Sequence, residues 1–171
     1  MKGFLKAVVW IVILAAVAVG VYFVLPEYPQ AYVKSKFQPM TDAVAKTKIE
    51  QVQKLINKDI DNASYKTIFE AKTKNPCWVY EKDEVSGTEY VTFRGTGVSL
   101  NLKDYEEYSG KLYTNASVKI QFEIVNNKVE IHPYIDGELM EVTDGKHTDQ
   151  NKAIRNDLFR QLYGGMASAN E

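Results

Sequence analysis

The side chains best suited to covalent chemistry are a lone cysteine and two histidines. Cys77 stands in Asn75-Pro76-Cys77-Trp78, and His132 and His147 follow it in the chain. A thiol beside an imidazole makes a nucleophile and its base, because the charged ring lowers the thiol pKa and the neutral ring takes its proton. Cys77 with His132 or His147 is therefore the candidate catalytic set, and a thiol hydrolase its chemistry. The local pattern argues otherwise. Such a nucleophile usually opens a helix, whose dipole favours the thiolate, whereas Cys-Trp-Val-Tyr-Glu reads as the start of a strand. A lone cysteine in a strand is ordinarily a small buried hydrophobe.

Metal and cofactor chemistry find no pattern. His132 and His147 are 15 residues apart, without the His-x₃-His or Glu-x-x-His spacing a zinc site needs. Glu106-Glu107 and the trail Asp136, Glu138, Glu141 and Asp144 do not form a calcium loop. Gly95-Thr96-Gly97 resembles a fragment of a phosphate loop but opens no helix, and turn chemistry accounts for it. No cofactor is expected. A carboxylate pair for glycoside hydrolysis could meet only in the fold.

Tyrosine is the more telling surplus. Eleven are present, and Tyr90, Tyr105, Tyr108, Tyr113 and Tyr134 fall on outward strand positions or in loops. Tyrosine gives contact area at little entropic cost, so these five are the candidate binding surface. The same residues also suit a half-buried sheet face.

Several elements must position these residues, and the first is a membrane segment. Ala7 to Leu25 contains no charge. At the helical rise it spans roughly 28 Å, close to the hydrocarbon thickness of a bilayer. Lys2 and Lys6 precede it and Glu27 is the first charge beyond it. The positive-inside bias then keeps residues 1–6 in the cytoplasm and exports the remainder. The alternatives are a buried core helix and a cleaved signal peptide with Ala16-Val17-Ala18 as its site, giving a secreted domain. The apolar run continues seven residues past Ala18, an odd start for a soluble chain. The exported part carries 19 basic and 22 acidic residues, since two of the 21 basic ones lie before the segment; its net charge of −3 gives no footprint for nucleic acid. One cysteine excludes an internal disulfide, so the core alone must hold the domain.

Residues 26–39 hold three prolines and read as a short stalk or irregular lead-in. From Met40 the pattern turns helical, with Thr41 or Asp42 as cap and Val44, Ile49, Val52, Leu55, Ile56 and Ile60 on the apolar face. Asn62 to Ser64 interrupts it, and Tyr65 to Lys74 is open between a short helix and a strand. After Cys77 the period becomes two. A hairpin turn at Asn126-Asn127 pairs Val125 with Lys128, Ile124 with Val129 and Phe122 with Ile131. One at Asp136-Gly137 pairs Met140 with Pro133 and Val142 with Ile131. One at Gly95-Thr96 pairs Phe93 with Val98 and Val91 with Leu100. All three put apolar residues on one face, the mark of an antiparallel meander. Lys103 to Gly110 is expected as a polar loop. A last helix carries Ile154, Leu158, Phe159 and Leu162 and stops at Gly164-Gly165, leaving 166–171 as a disordered tail.

The expected fold class is α+β: a transmembrane helix, then an extracytoplasmic domain over 40–165. In that domain a meander of five to seven strands is packed by an N-terminal and a C-terminal helix. In outline this order is similar to the cystatin-like and NTF2-like architectures, a likeness of layout that no motif carries. The expected function is a single-pass, signal-anchored, non-enzymatic binding domain. Its partners would be the bilayer, through Ala7 to Leu25, and another protein of the cell envelope, with the domain serving as a subunit or accessory of an envelope complex. The alternatives from other classes are the thiol hydrolase and a small-ligand binding domain using an apolar cavity near Trp78.

Overall fold

The uncharged N-terminal stretch forms a single helix, α1 (Lys2–Val24), in the computed structural model, which describes residues 2–102, 111–126, 128–141 and 148–164. Its segment Ala7–Val24 is long and apolar enough to cross a membrane, and none of that segment is buried against the rest of the chain. Without a bilayer, Trp10, Leu14 and Phe23 stand exposed.

Only Leu25 and Pro26 separate α1 from a second helix, α2 (Glu27–Thr41). The stretch expected to be an irregular lead-in is therefore ordered helix. Its prolines mislead because of where they fall. Pro26 is the cap and Pro29 lies in the first turn, where backbone N–H groups have no helical partner to lose. Pro39 gives up one bond, and the helix ends two residues later. Asp42 then caps α3 (Ala43–Lys54), its carboxylate accepting from the Ala45 N–H at 2.9 Å. Ala45, Ile49 and Val52 are buried, but Val44 is exposed. The helix also stops short of the expected Ile60. Asp61 and Asn62, both at φ near +50°, turn a small hairpin of β1 (Ile56–Asn57) and β2 (Ala63–Ser64) that leaves Leu55 and Ile56 outside the core. The ambiguous stretch after it begins as helix: Ser64 caps α4 (Tyr65–Glu70).

Five antiparallel strands follow in sequence order: β3 (Lys74–Lys82), β4 (Glu89–Asn101), β5 (Leu112–Val125), β6 (Lys128–Ile135) and β7 (Glu138–Leu139). The β5–β6 register is the expected one: Val125 faces Lys128, Ile124 faces Val129 and Phe122 faces Ile131. Asp136 and Gly137, at positive φ, make the next turn, and the Met140 N–H donates to the Pro133 carbonyl at 2.8 Å. The Val142–Ile131 pairing, the polar loop Lys103–Gly110 and the tail 166–171 lie outside the described residues.

The expected hairpin turn at Gly95-Thr96 does not form. β4 runs straight through it, and Phe93 pairs with Ile120 of β5 and with Trp78 of β3. The register slips between Gly95 and Val98, as it does at a bulge. The glycines serve close approach instead of reversal. A Cβ on Gly95 would stand 2.7 Å from the Thr73 Cβ, and Gly97 holds φ +72° against the Lys74 side chain. Val91, Phe93, Val98 and Leu100 are arranged symmetrically about the glycines. A hairpin and a bulged strand therefore show the same alternation.

One face of the sheet is the core. Trp78, Tyr80, Val91, Phe93, Ile120 and Phe122 meet α3, α4 and α5 (Thr148–Gly164), which contributes Ile154, Leu158, Phe159 and Leu162. Phe69 of α4 sits at the centre, its ring within 4.8–6.1 Å of those of Tyr65, Trp78, Phe93, Phe122 and Phe159. The fold departs from two layers at one place. α2 lies on the opposite, outer face, where Ala31 packs on Cys77 and Val79.

Candidate functional site

Strand register makes the outer face a grid of three rows. The row of β3, β4, β5 and β6 partners Glu81, Tyr90, Glu123 and Glu130 is acidic, with one tyrosine. The next row is Val79, Thr92, Gln121 and His132. The third is Cys77, Arg94, Lys119 and Tyr134, which is basic and aromatic. α2 covers the β3 column and reaches over Arg94 of β4, and the β5 and β6 columns lie beyond it.

Four residues of α2 fasten it to the sheet, three of them to β3 and one to β4. Tyr28 Oη donates to the Asn75 carbonyl at 2.6 Å, and Lys34 Nζ pairs with Glu81 at 2.9 Å. The Gln38 amide bonds both peptide groups of Tyr80. Arg94 Nη2 pairs with Glu27, which is exposed, while the arginine side chain is largely buried. The Gln30 side chain donates back to the Leu25 carbonyl, tying the end of α1 to α2.

His132 is held between two carboxylates. Glu141 lies 3.2 Å from its Nδ1 and Glu123 lies 3.6 Å from its Nε2. The two acids approach opposite sides of the ring, so their oxygens diverge around it and do not converge on a point where an ion could sit. Among the described residues, no group of three or more His, Cys, Asp or Glu side chains is placed to hold a metal. Beside this clasp, Lys119 Nζ lies over the Tyr134 ring, 3.7 Å from its centroid. Burial, and after it the neighbouring Arg94 charge, pull the Lys119 pKa below the usual lysine range.

Two clefts border the grid. An open groove of about 970 Å³ runs between α2 and the acidic row, lined among others by Gln38, Tyr80, Glu84, Tyr90 and Gln121. A smaller one of about 260 Å³ lies where the last turn of α1 (Tyr22 and Phe23) faces Val79, Glu81 and Arg94. The outer face is therefore the side on which α1 arrives.

The structure brings Tyr90 and Tyr134 onto this one face. It puts Tyr113 elsewhere, against the core, with its hydroxyl donating to Glu138 at 3.2 Å. Tyr105, Tyr108 and His147 lie outside the described residues. Cys77 is buried under α2, and burial pushes its thiol up to about 11. His132 is three strands from it, on the order of 14 Å at ordinary strand spacing. Trp78 is spent in the core, with its indole N–H donating to Glu70 at 2.9 Å.

Sequence reasoning passed over Arg94, Lys119, Gln121 and Glu123, and weighed Glu141 only in an acidic trail that makes no calcium loop. The signal for three of them was present: in Val-Lys-Ile-Gln-Phe-Glu-Ile, the polar members are what an uncovered sheet face requires. Compared with known proteins, the chain matches no family model, no curated protein and no solved structure.

Proposed function

We propose that the chain is a single-pass membrane protein whose exported domain binds another protein of the cell envelope through the outer face of its sheet. The cystatin-like and NTF2-like outline belongs to this proposal as a description of layout alone, helices cradled by one antiparallel sheet, and carries no activity. The supporting observation is the grid itself. Beyond α2, a well-packed sheet holds Tyr90, His132 and Tyr134 half-exposed on its outer face, beside the end of a helix of membrane-crossing length. Tyrosine on a rigid strand is a contact residue already ordered before a partner arrives, so little entropy is lost on binding.

The role we propose is non-enzymatic, and the state of Cys77 supports that reading. A thiol buried under a helix, with its pKa raised and His132 three strands away, is not an activated nucleophile. The core aromatics pack on one another, which gives the cavity-ligand alternative no support.

The test is photo-crosslinking in intact cells, with a photoreactive amino acid at Tyr90 or Tyr134 and a control at Lys66 on the helix side. Adducts with a membrane or envelope protein from the first two positions, absent from the third, are expected. Equal labelling from all three, or none from the outer face, overturns the proposal. The mass of the mature chain separates anchor from cleaved signal, since cleavage after Ala18 removes most of α1.

A further inference from the structure

We propose that the small cleft between the last turn of α1 and the outer face binds a phosphate mono- or diester through Arg94 and Lys34, supplied by a phospholipid headgroup. The inference rests on the membrane reading above and adds a ligand to it.

In the membrane reading the cleft sits at headgroup level. Tyr22 and Phe23 close the apolar run of α1 and line the cleft, so the cleft opens where that helix would leave the hydrocarbon and meet the headgroups. Its volume of about 260 Å³ falls just under the range of ordinary small-molecule pockets, which suits one headgroup.

The charges around the cleft also suit an anion. Arg94 and Lys34 line the cleft with Glu27 and Glu81, and Lys119, just outside the lining with its Nζ over Tyr134, adds a third cation within electrostatic reach. Lys119 is the register partner of Arg94 and makes no ion pair among the described residues, so two like charges sit side by side. A singly charged phosphodiester would balance the set. The Nε of Arg94 is buried without a hydrogen-bond partner among the described residues, leaving a guanidinium donor unused. Glu27 and Glu81, the carboxylates now on Arg94 and Lys34, are both more than half exposed and can swing aside. Arginine offers its fork to phosphate as readily as to carboxylate.

The experiment uses the full chain. Extracted in detergent, wild type, Arg94→Gln and Lys34→Gln are examined by native mass spectrometry for retained phospholipid. Each is then delipidated, and its melting is followed with phosphatidylglycerol in the micelles or with inorganic phosphate alone. The expected result is one phospholipid kept by wild type, with retention down on the order of tenfold in each variant. Equal stabilisation by inorganic phosphate, lost in the variants, keeps the anion site but assigns it a soluble source. Lipid held equally by all three, with no variant-sensitive melting shift, places the lipid on α1 and overturns the proposal. Lys34→Gln decides if Arg94→Gln does not fold. A chain that needs no detergent sinks the membrane reading instead, and the phosphate titration still tests the cleft.

Discussion

The side-chain amide of Gln38 brackets the peptide of Tyr80: its Nε2 donates to the Tyr80 carbonyl at 2.7 Å, and its Oε1 accepts from the Tyr80 N–H at 2.9 Å. β3 is an edge strand, so Tyr80 would otherwise offer both groups to solvent or to another chain. The amide stands in for one residue of an absent neighbour strand. Gln161 of α5 does the same for Asn101 of β4, at 2.7 and 2.8 Å, where β4 has run past the end of β3. Helices from opposite ends of the chain thus close the same side of the sheet with the same device.

Replacing Gln38 tests that closure. Gln38→Ala loses two hydrogen bonds and is expected to destabilise the full chain by about 1–2 kcal/mol in denaturant titrations. Gln38→Glu is expected to be worse, since a carboxylate cannot donate to the Tyr80 carbonyl. Either variant should also aggregate faster, a measurement that light scattering supplies.

Phe69 is the centre of the core although its helix has only six residues. Phe69→Ala removes a fully buried ring touching five others and should cost about 3–5 kcal/mol. The loss reads out as a lowered denaturation midpoint with an unchanged slope.

Glu89 joins α3 to the sheet, accepting from Lys48 Nζ at 2.5 Å and from Tyr80 Oη at 2.9 Å. The Lys48 bond, and with it that of Tyr80, holds the Glu89 carboxyl below its ordinary value of 4.5. A carboxyl lowered by folding stabilises above its unfolded pKa, and that contribution is lost as pH falls through the folded value. Stability should therefore decline below about pH 4.5, and Glu89→Gln should flatten that part of the curve while lowering stability at pH 7 by about 1–2 kcal/mol.

At the alkaline end the sign reverses. Burial raises the Cys77 thiol from 9.0 to about 11, and burial together with the Glu89 carboxylate raises the Tyr80 phenol from 10.0 to about 12. Both groups stay protonated in the folded chain after they have ionised in the unfolded one, so unfolding releases protons and stability falls as pH rises. The decline should begin near pH 9 and steepen above pH 10, and Cys77→Ala should remove its first part. A maleimide should label native Cys77 slowly at pH 7.5 and rapidly in denaturant.

Legibility in the sequence followed the uniqueness of each pattern. Asn126 with its flanking alternation admits only one register that buries Phe122 and Ile131 together, and the strands pair that way. The run about Gly95 admits two, and only Thr73 and Lys74, which are distant in pattern though near in space, decide between them. α2 was hidden because three prolines look alike in a string, whereas their cost depends on helix position. Its docking depends on Cys77 and Val79, whose outward side chains look buried in sequence for no stated reason. The site was legible in part. Tyr90 and Tyr134 carry their outward register in the sequence, and so do Lys119, Gln121 and Glu123. The two carboxylates around His132 come from separate strands and segments, and no spacing rule joins 123, 132 and 141.

The two-residue junction at Leu25 and Pro26 makes the molecule a crank. Gln30 and Glu27 brace its inner corner, and the Gln38 contact holds the far end of α2. A domain on a loose tether would forget the orientation of its shaft within a few bonds. Here two residues and these contacts set the direction of α1 against the sheet, so whatever grips the apolar helix is expected also to aim the face that carries Tyr90 and Tyr134.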